Sequence, residues 1–176
     1  MIVIMAGLPG TGKTTLARAL ALRIAGVVLN KDEIRAALFP PAEIEYSTAQ
    51  DDFCMSILLE TAGYLLQKNP TRTVLIDGRP FSRTRQLEQV KKAAEQLGQT
   101  WKILECSCRA ETARKRLEDQ ATAHVAANRD YQLYLKLKSD WQEILLPKVI
   151  IDTDRQLAQC LEDAARAIED AHPITI

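Results

Sequence analysis

A glycine-rich run near the N-terminus holds the residues with the clearest chemistry. Residues 7–14 read Gly-Leu-Pro-Gly-Thr-Gly-Lys-Thr and fit the phosphate-binding pattern G-x-x-x-x-G-K-[ST]. Its glycines let the backbone turn tightly and point successive N–H groups at phosphate oxygens. Lys13 would reach the β- and γ-phosphates of a nucleotide, and the Thr14 hydroxyl would ligate Mg²⁺. We expect the nucleotide to be held by Gly7, Pro9, Gly10, Thr11, Gly12, Lys13, Thr14 and Thr15.

The segments on both sides of this run support the same interpretation. The apolar residues 2–6 predict a strand before it. Residues 13–24 carry Leu16, Leu20 and Ile24 at fourfold spacing, which predicts a helix after it. The N-terminus of such a helix carries partial positive charge and binds anions. The alternative, a chance glycine-rich turn, does not account for a strand and a helix at these positions.

A second candidate site follows the second predicted strand, residues 27–30. Residues 30–35 read Asn-Lys-Asp-Glu-Ile-Arg. Ligands of α/β sheets bind outside the carboxyl ends of the strands, so Asp32 is expected at the mouth of the same crevice. There its carboxylate can accept the proton of a hydroxyl that attacks a γ-phosphate, and Arg35, one helical turn later, can bind an anionic group of the acceptor. The alternative makes Asp32 a helix N-cap and Arg35 part of a surface ion pair.

A third candidate site lies at the end of the third predicted strand. Residues 74–77 read Val-Leu-Ile-Asp, the form of a Walker B segment, whose aspartate can hold Mg²⁺, usually through water. Thr14 and Asp77 are therefore the metal candidates, and Asp77 also counts as substrate-binding. The next residue is Gly78, whereas ATP-driven motor proteins generally need a base there to activate water, so the sequence favours transfer to a bound hydroxyl. Arg79 is a candidate contact to substrate or phosphate, with a surface arginine as the alternative.

The rest of the chain alternates between strand-like and helix-like segments. Short apolar runs predict strands of a parallel sheet buried on both faces. The alternation predicts a three-layer α/β fold, and 176 residues suit one domain, 1–176. The predicted strands are 2–6, 27–30, 73–77, 101–107 and 148–152, and the predicted helices are 13–24, a short one from near Asp32 to Pro40, 49–68, 83–97 and 154–170.

One long segment, residues 109–143, breaks this alternation and is predicted to be helical throughout. It carries a set of basic residues: Arg109, Arg114, Lys115, Arg116 and Arg129. A charged helical insert before the last strand is the usual position of a mobile lid, and a solvated helical hairpin is the alternative.

Composition narrows the classes of function. Lys+Arg and Asp+Glu balance at 23 each, so the chain has no global basic field for nucleic acid, although a local basic patch stays possible. We find neither a signal-peptide pattern nor an apolar run near ~18 residues, and we expect a cytoplasmic protein without membrane contact. Four cysteines and two histidines predict reduced, buried thiols rather than a zinc site.

Together these motifs resemble the P-loop kinases of the polynucleotide kinase, chloramphenicol phosphotransferase and gluconate kinase type, an AAA-like group of small-molecule kinases. The resemblance rests on residues 7–15, 30–35 and 74–79, on the arginines of the lid, and on the Ile-Asp-Thr-Asp of residues 151–154. It implies a five-stranded parallel sheet of order 2-3-1-4-5, ATP and Mg²⁺ as cofactors, and phosphoryl transfer to a hydroxyl.

The resemblance also implies roles for single residues. Asp32 would be the general base and Arg35 a contact to the acceptor. Arg116 resembles the lid arginine that meets the transferring phosphoryl group. Such lids often carry a second arginine four residues later, where this chain has Gln120, and Arg129 is a possible substitute. Residues 152–154 would border the adenine pocket, with capping of the last helix by Asp154 as the alternative.

The main functional hypothesis is therefore a kinase acting on a small-molecule hydroxyl. Two alternatives stay open: a 5′-hydroxyl polynucleotide kinase and a nucleotide-dependent regulatory ATPase. The sequence does not identify the acceptor, the choice of ATP over GTP, or the oligomeric state. Four aromatic residues could line a pocket or belong to the core: Phe39, Tyr46, Phe53 and Trp141.

Overall fold

Five parallel strands and the helices between them position the candidate site. The computed structural model describes residues 1–119 and 130–169. The strands are β1 (Ile2–Ala6), β2 (Val27–Asn30), β3 (Val74–Asp77), β4 (Trp101–Ser107) and β5 (Lys148–Asp152). The helices are α1 (Lys13–Arg23), α2 (Lys31–Leu38), α3 (Thr48–Lys68), α4 (Thr84–Gln96), α5 (Ala110–Asp119), α6 (Tyr131–Ser139) and α7 (Leu157–Glu169), with a 3₁₀ turn at Pro41–Glu43.

The strand order β2-β3-β1-β4-β5 confirms the predicted sheet. All four strand pairs are parallel, so the carboxyl ends of the strands lie along one edge. The register places Asn30, the last residue of β2, directly beside Asp77, the last residue of β3. The P-loop follows β1 between these strands and β4, as the sequence predicts.

Helices cover both faces of the sheet, which is the predicted three-layer arrangement. On one face, α3 and α4 pack on a core that includes Ile4, Ile76 and Ile103. On the other face, α1 and α7 pack on a core that includes Met5 and Leu104. All five residues of β1 are fully buried, because they face helices on both sides, and this explains why the strand has no polar alternation.

A third, smaller cluster joins helices α5 and α6 to the phosphate-binding loop. Ala113 and Leu117 of α5 and Tyr134 of α6 are buried together, and Leu8 of the loop packs against them. The described part of residues 109–143 is thus two helices, α5 and α6. The prediction of helix throughout this segment is wrong at its end, because residues 140–147 are not helical.

Other predictions from periodicity need correction. The buried face of α3 carries Cys54, Met55 and Leu58, whereas Phe53, predicted to share a face with Leu58, is 53% exposed. Helix α7 begins at Leu157 and not at residue 154. The predicted face of α4 is confirmed by its buried residues Leu87, Val90 and Ala94. The predicted face of α7 is wrong in part, because Ala164 is buried as expected but Leu157 is 46% exposed.

Candidate active site

The phosphate-binding loop between β1 and α1 has a backbone that only glycine suits. Gly7 has φ 133° and Gly10 has φ 79°, values that side chains of L-residues rarely allow. A Cβ at Gly7 would lie 2.3 Å from the carbonyl oxygen of Cys106, and one at Gly10 would lie 2.7 Å from that of Ala113. The loop is therefore held against β4 and α5 at two points where no side chain fits.

Lys13 lies across this loop. Its Nζ donates a hydrogen bond to the Leu8 carbonyl oxygen at 2.9 Å, and the lysine is only 7% exposed. Thr11 Oγ1 donates to the same carbonyl at 2.7 Å, which closes the loop on itself. Pro9, Lys13 and Thr14 line the adjoining cleft, so the predicted lysine and threonine both face the space where phosphates would bind.

Asp77, the Walker B candidate, is fully buried at the end of β3. Its Oδ2 accepts a hydrogen bond from Asn30 Nδ2 at 2.8 Å. Its Oδ1 is buried and has no hydrogen-bond partner among the described residues. A buried carboxylate oxygen without a partner is costly unless a ligand satisfies it, and both Asp77 and Thr14 line the cleft.

The donor set at this position fits Mg²⁺ better than a transition metal. Mg²⁺ is usually held by one or two carboxylates together with substrate phosphates and water. Within residues 1–119 and 130–169, no three His, Cys, Asp or Glu side chains come together as a self-sufficient metal site. Asp77 and Thr14 therefore suit an ion that arrives with a nucleotide, not one that the chain holds alone.

Asn30 connects Asp77 to the helix that carries Asp32. While its amide nitrogen binds Asp77, its Oδ1 accepts hydrogen bonds from the backbone N–H groups of Asp32 at 2.9 Å and Glu33 at 3.2 Å. Asn30 is thus the N-cap of α2, which begins at Lys31. The alternative interpretation of Asp32 as the N-cap is wrong, and the Asp32 side chain is left for other contacts.

Gly78 packs directly on this cap. It has φ 87°, and a Cβ at this position would lie 2.7 Å from both Asn30 Oδ1 and the Lys31 nitrogen. Any side chain at position 78 would collide with the start of α2. The glycine that follows Asp77 in the sequence therefore has a steric cause: the N-terminus of α2 occupies the space that a glutamate would need.

Asp32 belongs to a group of four charged residues with Lys31, Arg35 and Asp51. Arg35 Nη1 donates to Asp32 Oδ1 at 2.8 Å, and Lys31 Nζ lies 3.2 Å from the same oxygen. Asp51 of α3 accepts from Lys31 Nζ at 2.7 Å and also from Arg35 Nη2. Burial lowers the pKa of Lys31, against the opposing effect of Asp32. Arg35 is only 2% exposed, so the alternative of a surface ion pair is wrong.

Arg79 is also buried, at 2% exposure, which rules out the surface alternative for this residue. Its Nη2 donates to Asp52 Oδ1 at 2.7 Å. Arg79, Arg35, Asp32 and Asp77 line one cleft of about 290 Å³ that begins at the P-loop. The cleft is walled on its far side by Leu133, Lys136, Leu137 and Asp140 of the α6 region. The structure thus brings the three sequence motifs into one cavity.

Helix α5 meets the phosphate-binding loop near Gly10. Arg116 Nη1 donates to Thr153 Oγ1 at 3.1 Å and lies 3.4 Å from the Gly10 carbonyl oxygen, and Nη2 donates to the Thr153 carbonyl at 2.6 Å. Thr153, just after β5, donates in turn to the Thr11 carbonyl at 2.9 Å. Arg116 therefore lies beside the P-loop backbone. Arg129, the second lid candidate, lies outside the described residues.

Asp154 binds the start of α5 rather than that of α7. Its carboxylate accepts from the Arg109 backbone N–H at 2.9 Å and from Thr112 Oγ1 at 2.5 Å. These hydrogen bonds, with Thr112 as the largest contributor, lower the pKa of Asp154. The predicted capping of the last helix by Asp154 is wrong, because α7 starts three residues later and a long-range partner claims the carboxylate.

Asp51 and Asp52, at the start of α3, are site residues that were not predicted from the sequence. Asn30 and Thr153 lie in segments that the sequence analysis singled out, but the contacts by which they join separate elements were not predicted. Only Asn30 has a usable sequence signal, since asparagine at a strand end before an acidic pair is a preferred N-cap. The carboxylates of α3 have none, because their partners are 16 to 27 residues away in the chain.

Residues 2–134 of the chain match the family described as an AAA domain. The chain belongs to this family. The match covers the P-loop, the segments that carry Asp32 and Asp77, and helix α5, and it confirms the resemblance to P-loop proteins. No curated protein gives a significant match to the sequence.

Solved structures with a similar fold include several kinases. APS kinase from Mycobacterium tuberculosis, in complex with AMPPNP and APS, superposes with a TM-score of 0.72 at 18% identity, covering 96% of this chain and 97% of that one. A gluconokinase from Sinorhizobium meliloti gives 0.64 at 16%, covering 96% and 90%. Kti12 from Chaetomium thermophilum, bound to ADP-AlF3, gives 0.67 at 16%, covering 96% and 99%.

These similarities establish that the chain has the P-loop fold that these structures share. At such identities they do not carry over an acceptor. No helix in the described parts of the chain is long and apolar enough to cross a membrane.

Proposed function

We propose that this chain is an ATP- and Mg²⁺-dependent kinase that transfers the γ-phosphate to a hydroxyl group of a small molecule. The observation that carries the proposal is the single cleft shared by the P-loop and Asp32. Lys13, Thr14 and Asp77, which would form its phosphate end, line this cleft together with Asp32. A carboxylate in the same cleft would accept the proton of an acceptor hydroxyl that attacks a bound γ-phosphate.

The phosphate end would hold the nucleotide through the loop backbone and Lys13. Thr14 and Asp77 would hold Mg²⁺, with the unpartnered Oδ1 of Asp77 supplying a ligand directly or through water. The bound ion would offset negative charge on the phosphates during transfer. Asn30 orients the Asp77 carboxylate through its bond to Oδ2, so that Oδ1 faces away from the protein donor.

Asp32 would act as the general base. Both of its cationic neighbours, Arg35 and Lys31, approach Oδ1, which leaves Oδ2 for the proton of the acceptor hydroxyl. Arg35 is itself held by Asp51, so this pair fixes the direction in which the Asp32 carboxylate points. Arg35 has the predicted position beside the acceptor, and its direct contact with the acceptor is part of the proposal.

Arginines would offset the charge that develops on the transferring group. An arginine supplied to a γ-phosphate changes phosphoryl-transfer rates by ~10³–10⁵. Arg116 is half-buried beside the loop and pairs with carbonyl oxygens and the Thr153 hydroxyl, contacts that a phosphate oxygen can replace. We keep Arg116 and Arg129 as the candidates for this role.

The likeness to Kti12 means that the fold alone is compatible with a regulatory ATPase. ATP-driven motor proteins generally use a group beside the Walker B aspartate to activate water. Position 78 is a glycine with no room for a side chain, and the nearby carboxylate, Asp32, lies on the acceptor side of the cleft. These contacts favour transfer to a hydroxyl over hydrolysis. The volume of the cleft, about 290 Å³, is at the small end of the range for ligand pockets. This volume favours a small acceptor over a polynucleotide.

The test is transfer of label from γ-labelled ATP in the presence of Mg²⁺. The protein is offered a deproteinised extract of small metabolites and, separately, a 5′-hydroxyl oligonucleotide. Asp32→Asn is compared with wild type, and Asp163→Asn, which loses only an exposed ion pair with Arg155, is the matched control. We expect label in a small molecule, loss of transfer in Asp32→Asn with nucleotide binding kept, and no change in Asp163→Asn.

Other outcomes would identify other functions. Label in the oligonucleotide would favour the polynucleotide kinase. Release of free phosphate alone, at the same rate in wild type and Asp32→Asn, would contradict the kinase and favour the regulatory ATPase.

A further inference from the structure

The acceptor end of the cleft carries more positive charge than its acids balance. Apart from Lys13 and Asp77 at the phosphate end, six cationic and three acidic residues line it. The cations are Lys31, Arg35, Arg79, Arg83, Arg85 and Lys136, and the acids are Asp32, Asp51 and Asp140. The whole chain has a formal net charge of zero, so the excess is a local property of this cleft.

The excess lies on one side of the acceptor end. Lys31 and Arg35 are balanced by Asp32 and Asp51 in the four-residue group described above. On the other side, Arg79 pairs with Asp52, whose side chain is 42% exposed. Arg85 approaches the same carboxylate at 4.0 Å, so two arginines share one acid there.

Two nitrogen atoms of the Arg79 side chain are hydrogen-bond donors that the described residues leave unused. Arg79 is 2% exposed, and its Nε and Nη1 have no hydrogen-bond partner among the described residues. A buried guanidinium with unused N–H groups is unfavourable unless something accepts from them. The planar fork of arginine fits two oxygens of one carboxylate, phosphate or sulfate group, and this geometry selects oxyanions.

The N-terminus of α4, close to Arg79 in the chain, also contributes positive charge. Arg83 and Arg85 stand at the start of α4, a helix of 13 residues whose first turn carries no acidic side chain. In contrast, the first turn of α2 carries Asp32 and Glu33. The partial positive charge of the α4 N-terminus is therefore uncompensated by its own residues and adds to that of Arg79.

We propose that the acceptor is itself an anion: a small hydroxyl compound with a carboxylate, phosphate or sulfate group that Arg79 binds, together with Arg83, Arg85 and Lys136. This assignment rests on the proposed kinase function. The proposal assigns a different partner to each end of the acceptor. The reacting hydroxyl faces Asp32, and the anionic group faces Arg79 at the start of α4.

The first experiment measures anion binding without any transfer reaction. Equilibrium dialysis follows labelled sulfate with the nucleotide site saturated by AMP-PNP and Mg²⁺, so that the P-loop is not available to it. We expect one saturable site in wild type, weakened at least tenfold in Arg79→Gln and in Arg85→Gln. Arg85 has a 58% exposed side chain, so its variant does not depend on repacking the core. Arg166→Gln on α7 is the control, because Arg166 does not line the cleft.

The second experiment compares acceptors that differ by one anionic group. The pairs are D-gluconate with D-glucitol and glycerol 3-phosphate with glycerol, each offered with γ-labelled ATP. We expect kcat/KM to be at least tenfold higher for an anionic member than for its neutral partner, and this preference to be lost in Arg85→Gln.

The outcomes separate the anion site from the kinase function. If sulfate binding depends on the arginines but no compound receives label, the proposal of the anion site is supported and the proposal of a kinase is contradicted. Absence of saturable sulfate binding, or binding unchanged in both variants, would overturn the anion site. Transfer to a neutral alcohol as fast as to its anionic partner would also overturn it, while the kinase would stand.

Discussion

Asn30 offers the sharpest test of how the site is built. Its side chain caps α2 through the backbone N–H groups of Asp32 and Glu33 and donates to the buried carboxylate of Asp77. Loss of an N-cap costs about 1 kcal/mol. Loss of a hydrogen bond to a buried charged group costs roughly 1.5–3 kcal/mol. Asn30→Ala should therefore lower the free energy of unfolding by about 3 kcal/mol, which at this chain length lowers Tm by roughly 6–12 °C.

Asn30→Asp separates the two contributions. Aspartate is as good an N-cap as asparagine, so the contact with α2 is kept. It has no donor for Asp77 and places a second carboxylate beside it, and two carboxylates in contact repel each other. We expect Asn30→Asp to be less stable than wild type at pH 7, although the cap of α2 is kept.

Urea unfolding followed by far-UV circular dichroism measures these differences in the absence of nucleotide. Asn69→Ala is the matched control, because Asn69 is exposed and its side chain accepts only from Thr71 in a surface turn. The control should stay within about 0.5 kcal/mol of wild type. If the free energy of unfolding of Asn30→Ala were equally close to that of wild type, the structural link through Asn30 between Asp77 and α2 would be refuted.

Three further predictions concern the loop, the lid and the thiols. Lys13→Ala should weaken ATP binding, measured by calorimetry, and slow transfer, because Lys13 lines the cleft at the P-loop; unchanged affinity would contradict this. The pKa of Asp154 is lower in the folded protein than its value of about 3.9 in the unfolded chain, so its ionised form stabilises the fold at pH values above about 3.9. This stabilisation is lost as the pH falls through the pKa of the folded state. Asp154→Asn should therefore lower Tm by a few degrees at pH 7 and by less near pH 3, and an equal loss at both would count against it. Burial raises the pKa of Cys106 to about 12, so iodoacetamide at pH 8 should spare it and label the half-buried Cys108 first, as peptide mapping would show; labelling in the reverse order would refute it.

Local patterns predicted the sheet and the loop well. Each strand is a short apolar run, and the edges of the predicted and observed strands differ by at most one residue, at Thr73. The glycines of the loop have a conformational role that their spacing reveals. The meeting of Asp32 and Asp77 in one cleft follows from parallel strands, whose carboxyl ends share an edge.

Contacts between distant segments were not predictable. Asp51 binds Arg35 from a different helix, and nothing in the spacing of either residue indicates the other. Asp154 has the sequence position of a helix cap. In the structure its carboxylate instead accepts hydrogen bonds from a backbone N–H and a hydroxyl group at the start of α5. Phe53 fits an apolar stripe, yet it is exposed and packs edge-on against Phe39 on the surface of the protein.

The contact between Gly78 and the start of α2 also has an evolutionary consequence. A mutation that introduces any side chain at position 78 brings a Cβ to 2.7 Å from Asn30 Oδ1 and from the Lys31 nitrogen. Removing the Asn30 side chain would not be enough, because the backbone nitrogen of Lys31 lies at the same distance, so such a mutation becomes tolerable only after a change that moves the start of α2. A lineage descending from this chain would therefore acquire a glutamate beside Asp77 only after the start of α2 has shifted.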